Sequence, residues 1–469
     1  MEQMDMLSCH LNRSNDVPLY EQLYGFIKKE ITEGRLEYGS KLPSKRKLSE
    51  FLKISQNTVE TAYDQLTAEG YIEGIPRKGY FVLAYEDLEY VQTTTKSANE
   101  ETTEKKELKY YFHPSRIDTE NFPFTKWRKY ARDTIDQAHH SLLLLGDKQG
   151  ELELRQQIVH YLYHARGVKC TAEQIIIGAG SDILMQQLIL LLHRNTIYGV
   201  ENPGYHVILH ILKSYQNKVH PLEVDDEGVK VSSIEQANID TVYVTPSQHF
   251  PYGSVLSVNR RIKLLNWAAG RNDRYIIEDD YDSEFRYSGK SIPSLQSMDH
   301  SEKVVYLGSF SKSLIPSLRI SYMVLPKHLL KKYREKELSY YHCSVSRIDQ
   351  HILSQFMKEG DFERHLNRMR KIYRRKLEKT LNVLKPYKEK VDVIGEHSGL
   401  HIVLTVKNGM EEQELIQRAL KAEIKIHPLS SYSLEKKFDS SPKMILGFAG
   451  IPEDELESAI ELLLESWGL

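Results

Sequence analysis

The sequence predicts a multidomain chain, with a small α+β unit of three helices and a hairpin followed by a larger α/β body. Three observations lead there. The chain has 469 residues, too many for one hydrophobic core. Residues 84–108, AYEDLEYVQTTTKSANEETTEKKEL, carry seven acids against three lysines, and from Gln92 to Glu107 no apolar side chain is larger than Ala98. Such a run cannot bury enough surface to order itself, so it is expected to be a flexible linker between a domain at 14–83 and a body at 109–469. Beyond it, short apolar runs alternate with amphipathic stretches, as strands and their covering helices do.

Bulk composition excludes several classes. With 40% hydrophobic and 27% charged residues and a net charge of −2, the chain resembles an ordinary soluble protein with no global bias toward nucleic acid or membrane. The longest apolar runs, such as LILLL at 188–192, are far short of a membrane span. Cys9, Cys170 and Cys343 are far apart and lack metal-ligand spacing, so no metal site is expected, and a reducing compartment suits them. The start, MEQMDMLSCHLNRSN, has no basic region followed by an apolar core. The expectation is a cytoplasmic protein.

In the first unit, Tyr20, Leu23, Tyr24, Ile27 and Ile31 fall at helical spacing, and Gly34 supplies a stop. A second helix is predicted from about Ser44, burying Leu48, Phe51 and Leu52. After the break KIS, Ser55 can cap a third, whose inner face is Val59, Ala62, Tyr63 and Leu66 and which Gly70 ends. YIEGIPRKGYFV then predicts two short strands around a turn.

Two helices across a tight break followed by a hairpin make a winged helix-turn-helix, whose last helix reads bases with its first turn. That turn offers Ser55, Gln56, Asn57 and Thr58, with amides suited to adenine edges. Lys45 and Arg46 stand where backbone phosphates would pass, and Arg77 and Lys78 at the wing tip. The alternative is a small helical interaction module with solvated charges. Ten Lys/Arg against nine Asp/Glu over 18–82 do not separate the two. The segment from VPLYEQLY through LPSKRKLSEFL and QNTVETAYDQLTAEG to PRKGYFV resembles the GntR-type DNA-binding domain over its whole length. That resemblance implies a double-stranded DNA operator as partner. Gln56 departs from it, where many members have arginine.

In the body, Ile175–Ile177, Ile197–Val200, Val242–Thr245, Tyr275–Glu278, Val304–Leu307 and Ile320–Leu325 are predicted strands, and SDILMQQLILLLH and NRRIKLLNWAA helices. Ligand sites in such folds lie where the strands end. Pyridoxal 5′-phosphate needs a lysine, a carboxylate for its ring nitrogen, a phenol or amide for its ring oxygen, an aromatic face and a phosphate cup. Each has a candidate after a strand. Lys312 lies in a loop within SFSKSLIPSLR, where desolvation would make its amine a nucleophile. Asp279 and Tyr281 follow YIIE. Tyr205 in ENPGYH could stack on the ring. Gly180 and Ser181 in GAGSD open a helix, and Ser309, Ser311 and Arg319 could complete the cup. Singly, Lys312 could be a solvated charge, Asp279 a surface charge or metal ligand, and GAGSD any helix start.

Together, DKQGELELRQQIVHYLYHARGVKCTAEQIIIGAG, ENPGY, TPSQHFPYG, YIIEDDYDSEFRY, YLGSFSKSLIPSLRISYMVLP and HLNRMRKIYRRK resemble fold-type I aminotransferases of class I. More narrowly they look like the aminotransferase-like domain of MocR/GabR-type transcription regulators. The resemblance runs from about residue 110 to near the C-terminus. It implies a large α/β domain with a small C-terminal α+β part, at roughly 375–469, and a cofactor held as an internal aldimine on Lys312. Asp279, Tyr281, Tyr205, Ser309 and Arg319 match the positions around it. A homodimer, head to tail, is implied as well.

The departures are informative. Gln248 and His249 stand in exchanged order in TPSQHFPYG. Where the fold commonly clamps a substrate carboxylate with an arginine before an FA pair, KMILGFAG has Ile445, and no arginine occurs from Ala419 to Leu469. His206, His427 or Lys425 could take that part. The expectation is a regulator that senses an amine or amino-acid effector through external aldimine formation at Lys312. The alternative is a working aminotransferase with a DNA-binding appendage, which the absent arginine disfavours. A cofactor-free scaffold for dimerisation is opposed by the complete cofactor set.

Overall fold

In the computed structural model, which describes residues 9, 11–13, 17–83, 108–193, 195–289, 291–336, 341–434 and 441–469, Ser44 and Ser55 each begin a helix. Residues 84–107 of the expected linker lie outside the described residues. The chain divides into two compact units, residues 1–105 and 106–469.

The first unit comprises helices Leu19–Thr32, Lys45–Leu52 and Gln56–Ala68 and a hairpin of β1 (Ile72–Ile75) and β2 (Gly79–Val82). Ser44 accepts from the Lys47 amide at 3.3 Å and Ser55 from the Thr58 amide at 3.1 Å, so each hydroxyl satisfies a helix-end donor. Between the two helices Lys53 turns the chain at φ +51°. Leu23, Ile27, Ile31, Leu48, Val59, Ala62, Tyr63 and Leu66 form the core with Ile72 and Val82. One expected core residue is not there, since Phe51 is 43% exposed. The short second helix buries Leu48 and Ser49 and half-buries Leu52, and at ~100° per residue Phe51 falls outside that face. Tyr20 is likewise exposed, and Tyr24 is half-buried.

The body is built on an eight-stranded sheet. Its strands are β4 (Ile175–Gly178), β5 (Ile197–Asn202), β6 (Lys218–Asp225), β7 (Gly228–Val229), β8 (Thr241–Val244), β9 (Tyr275–Asp280), β10 (Val304–Ser309) and β11 (Ser321–Val324). A two-residue strand, β3 (Tyr110–Tyr111), precedes them. The order is β4-β11-β10-β9-β8-β5-β6-β7. β10, β9, β8, β5 and β6 pair in parallel, and β11 runs antiparallel between β4 and β10. β4, β5, β8, β9 and β10 therefore end at the same edge, where β11 begins. Alternate side chains fill two cores. Ile175, Ile177, Tyr306 and Tyr322 pack with Leu154, Ile158, Leu353 and Phe356 of covering helices. Ile176, Val305, Leu307 and Met323 pack with Leu184, Leu188 and Leu329 on the other face.

A smaller sheet, ordered β12 (Val391–Ile394), β13 (His401–Val406), β16 (Lys443–Gly447) and β15 (His427–Pro428), follows the long helix Asp361–Leu384. β14 (Ile424–Lys425) pairs in parallel with β3. Ile402, Leu404, Leu446, Leu463 and Trp467 fill its core. Among the described residues, no helix is long and apolar enough to cross a membrane.

Candidate functional site

In the winged helix, Gln56 and Asn57 stand exposed on the first turn of the third helix. Ser55 and Thr58 are partly committed to the turn itself, their hydroxyls 2.8 Å apart. Lys45 pairs with Glu60 at 2.5 Å, and Arg46 with Glu50 at 3.0 Å. Arg77 and Lys78 are exposed at the hairpin turn, Arg77 at φ +63°.

In the body, the edge shared by five strand ends collects every residue singled out for the cofactor. Register fixes the first row, with Ser321 facing Gly178 on one side and Ser309 on the other, while Gly308 faces Asp280. Lys312 is not in a loop, because Ser309 caps a four-residue helical turn, Phe310–Ser313, by accepting from the Ser311 amide at 3.1 Å. The turn points the Lys312 amine toward the Pro114 carbonyl, to which it donates. Burial pushes that amine down to about 8, and the Asp282 carboxylate acts in the opposite sense.

Asp279 is buried and accepts a hydrogen bond from the Tyr243 hydroxyl. Burial pushes its carboxyl up to about 6, against the effect of that bond. Tyr281 follows, its hydroxyl buried without a hydrogen-bond partner among the described residues. Tyr205 precedes the helix His206–Ser214, its ring 6.2 Å from Phe250. Gly180 and Ser181 open the helix Ser181–Leu191 after β4. Gly180 has φ +104°, and a Cβ there would lie 2.1 Å from Arg319 Nη2. Arg319 also donates to Asp182 Oδ1 at 2.7 Å. Ser309, Ser311 and Ser321 form a hydroxyl chain with Oγ–Oγ distances of 3.0 and 2.9 Å. Glycine, hydroxyls and a guanidinium thus meet at a helix start, which is the donor set a phosphate needs.

The exchanged pair Gln248–His249 sorts into two directions. His249 faces the Pro203 carbonyl at 3.1 Å from Nε2. The Gln248 amide has no hydrogen-bond partner among the described residues and lies where a Cβ on Gly399 would be, 1.7 Å from its Nε2. The same Cβ position is 3.2 Å from an oxygen of Asp282, whose two carboxylate oxygens are buried with no hydrogen-bond partner among the described residues. Buried polar groups are normally hydrogen-bonded. Unpartnered atoms of Tyr281, Gln248 and Asp282 beside the half-buried Lys312 therefore fit a polar, planar group seated between them. Ile445 is fully buried in β16 and packs with Phe250, Val403 and Tyr432, an apolar wall where the fold commonly places an arginine.

Tyr243, Asp282 and Ser321 were not foreseen. Tyr243 looked like another apolar strand residue, Asp282 one acid among several in EDDYDSEF, and Ser321 becomes adjacent to Ser309 only through strand pairing.

Two family models match the chain, bacterial regulatory proteins of the gntR family over residues 19–82 and aminotransferase class I and II over residues 115–463. The HTH-type transcriptional regulator YdeL of Bacillus subtilis (strain 168) is 45% identical over 461 residues, covering 97% of this chain and 98% of that protein. The probable rhizopine catabolism regulatory protein MocR of Rhizobium meliloti is 31% identical over 471 residues, covering 97% and 94%. Among solved structures, the kynurenine aminotransferase of Pyrococcus horikoshii superposes with a TM-score of 0.69 at 25% identity, covering 77% of this chain and 91% of that one. The chain therefore belongs to the MocR-like family of HTH-type regulators, in which a GntR winged helix is fused to an aminotransferase class I and II domain.

Proposed function

We propose that this chain is a transcription regulator that binds operator DNA through residues 14–83 and pyridoxal 5′-phosphate through residues 109–469, and responds to a small amine or amino acid. When bound, the cofactor supplies an aldehyde carbon at which the Lys312 amine is exchanged for the amine of an effector. The chain's side chains do the rest. Asp279, whose ionised form the Tyr243 hydroxyl favours by donating to it, would pair with the ring nitrogen and keep a proton there. Tyr281 would donate toward the ring oxygen, and Tyr205 would cover the ring face. Gly180, Ser181, Ser309, Ser311 and Arg319 hold the phosphate. Gln56 and Asn57 read bases, and Ser55, Thr58, Lys45, Arg46, Arg77 and Lys78 fix the helix on the backbone. The observation that carries the reading is the convergence of Lys312, Asp279, Tyr281 and the Gly180–Arg319 cup on one sheet edge, in a chain that also presents a recognition helix.

Ile135, Leu143, Leu144 and Leu145 are 71%, 79%, 68% and 77% exposed, an apolar surface that supports a homodimer. The head-to-tail order follows from family likeness. An effector shifts DNA binding only by its differential affinity for the two arrangements of such a dimer.

The test is a titration of the cofactor-loaded full chain with primary amines and amino acids, following the visible absorption band. Affinity for DNA selected from a random pool is measured alongside. An effector that changes the band is expected to change DNA affinity by ~5- to 150-fold. A protein whose spectrum ignores added cofactor contradicts the reading. A second reading, a working aminotransferase, is favoured by the Lys312 amine near 8, which suits proton transfer. Sustained product formation with a keto-acid acceptor would establish it.

A further inference from the structure

A group of cationic and imidazole side chains outside the cofactor set gathers around Tyr111, next to the turn that receives the Lys312 amine. β3 and β14 pair with Tyr111 opposite Lys425. The Tyr111 ring has Lys425 Nζ 5.0 Å and Arg116 Cζ 4.7 Å from its centroid. Its hydroxyl lies 3.0 Å from His427 Nε2, and the His427 ring lies 4.8 Å from that of His113. From His113 the chain turns back on itself, the Arg116 amide donating to the His113 carbonyl at 3.1 Å. The carbonyl that accepts from the Lys312 amine belongs to Pro114, inside that turn. The reactive amine and Arg116 are thus tied to the same four residues.

Cation–π pairs on a protein surface are common and need no ligand. Here the charge pattern goes further. Among the described residues neither Arg116 nor Lys425, both exposed, has a carboxylate partner, so their two charges stand uncompensated on one ring. His113 is pushed down to about 4, first by burial and then by His427, Lys312, Arg116 and Lys425, of which the lysines and the arginine are the cations. His427 is pushed down by burial and then by Lys425 and His206. Positive groups that gather without a counter-ion, here beside the turn that holds the Lys312 amine, attract an anion. The usual alternative position, Ile445, is apolar and buried.

We propose that Arg116 and Lys425, with His427 behind them, bind the acid group of the effector whose amine reaches Lys312. The effector is then an amine carrying a carboxylate or similar anion, rather than a plain alkylamine or polyamine. This rests on the reading that effector amines exchange at Lys312, and the experiment separates the two.

In the cofactor-loaded full chain, alkylamines of two to five carbons are compared with their counterparts bearing a terminal carboxylate, by the concentration that half-changes the visible band. At least one carboxylated amine is expected to act at about tenfold lower concentration than its partner, the range for a charge-assisted contact. In the Arg116→Gln/Lys425→Gln double variant that ratio is expected to collapse to within about twofold, and Arg116→Lys is expected to retain part of it. In the cofactor-free chain, butanoate is expected to move the imidazole NMR signals of His113 and His427 saturably, and not in the double variant. A wild-type ratio near one, a ratio that survives the double substitution, or imidazoles silent to butanoate would overturn the proposal. If no amine changes the band, the effector reading fails and the butanoate titration alone decides whether an anion site exists.

Discussion

Replacing Gly180 with alanine tests the phosphate cup at a single atom. At φ +104° an alanine is strained by about 1–3 kcal/mol. Its Cβ would sit 2.1 Å from Arg319 Nη2 and 2.2 Å from Asp182 Oδ1, so the 2.7 Å ion pair between those side chains must open. The guanidinium of that pair is half-exposed, and losing the pair adds at most about 1 kcal/mol. The cofactor-free protein is therefore expected to lose about 1–4 kcal/mol in denaturant unfolding. Cofactor binding suffers separately, because the displaced guanidinium no longer reaches the phosphate. A charge-assisted contact of about 1.5–3 kcal/mol corresponds to an affinity loss of about 10- to 100-fold in a spectrophotometric titration. Gly360→Ala is the control. Gly360 has φ +70° outside the pocket, so that variant should lose stability while keeping its cofactor affinity. A Gly180→Ala protein that binds cofactor as the wild type does would refute the assignment.

Buried acids should give the cofactor-free protein an unusual pH dependence. Burial pushes Glu201 up to about 8 and Glu278 to about 7, so their contribution is full below the ordinary carboxylate range and is lost as pH rises through those values. His249 and His401, pushed down to about 3 and about 4, act in the opposite sense but only below 6.5. Between pH 6.5 and 8 stability is thus expected to fall by up to ~1.4 kcal/mol per pH unit for each proton released. Glu201→Gln, which still offers Thr245 an acceptor, should flatten the slope in urea titrations, and an unchanged slope contradicts the account. Lys376→Met should cost about 3–5 kcal/mol, because it strands the buried Asp118 carboxylate that Lys376 meets at 2.8 Å. Adding Asp118→Asn should recover most of that loss, and an equally unstable double variant speaks against the pair. On DNA, Asn57→Ala is expected to cost about 1–3 kcal/mol on the preferred sequence and relax preference at one base. Arg77→Gln should instead weaken all sequences alike and lower the salt slope by about one, as competition binding at several salt concentrations will read.

What could be read from the sequence follows from how local each feature is. Ser44 and Ser55 announce their helices because a capping hydroxyl acts within three residues. The apolar runs of β4, β8 and β9 stand out because strands buried on both faces carry little else. β6 escaped notice because KVHPLEVD is polar on one side and contains Pro221, which a strand accepts only where its missing donor goes unneeded. Phe51 misled because an eight-residue helix is too short for its spacing to define one face. The placement of Lys312, Asp279 and Arg319 at one sheet edge was legible since each follows or precedes a recognisable strand. The Tyr243–Asp279 bond and the Gln248–Asp282 approach were not, because they join segments 36 and 34 residues apart in the chain that only the sheet order brings together. The Arg116–Lys425 pair lies farther apart still, and depends on two-residue strands that no periodicity reveals.

The central claim is that one amine, Lys312 Nζ, carries the cofactor. Reduction of the loaded protein with borohydride, followed by peptide mass spectrometry, tests it directly. The expected result is a single phosphopyridoxyl adduct on Lys312, absent from Lys312→Ala. An adduct on a different lysine, or none on a protein that has taken up cofactor, would contradict the account.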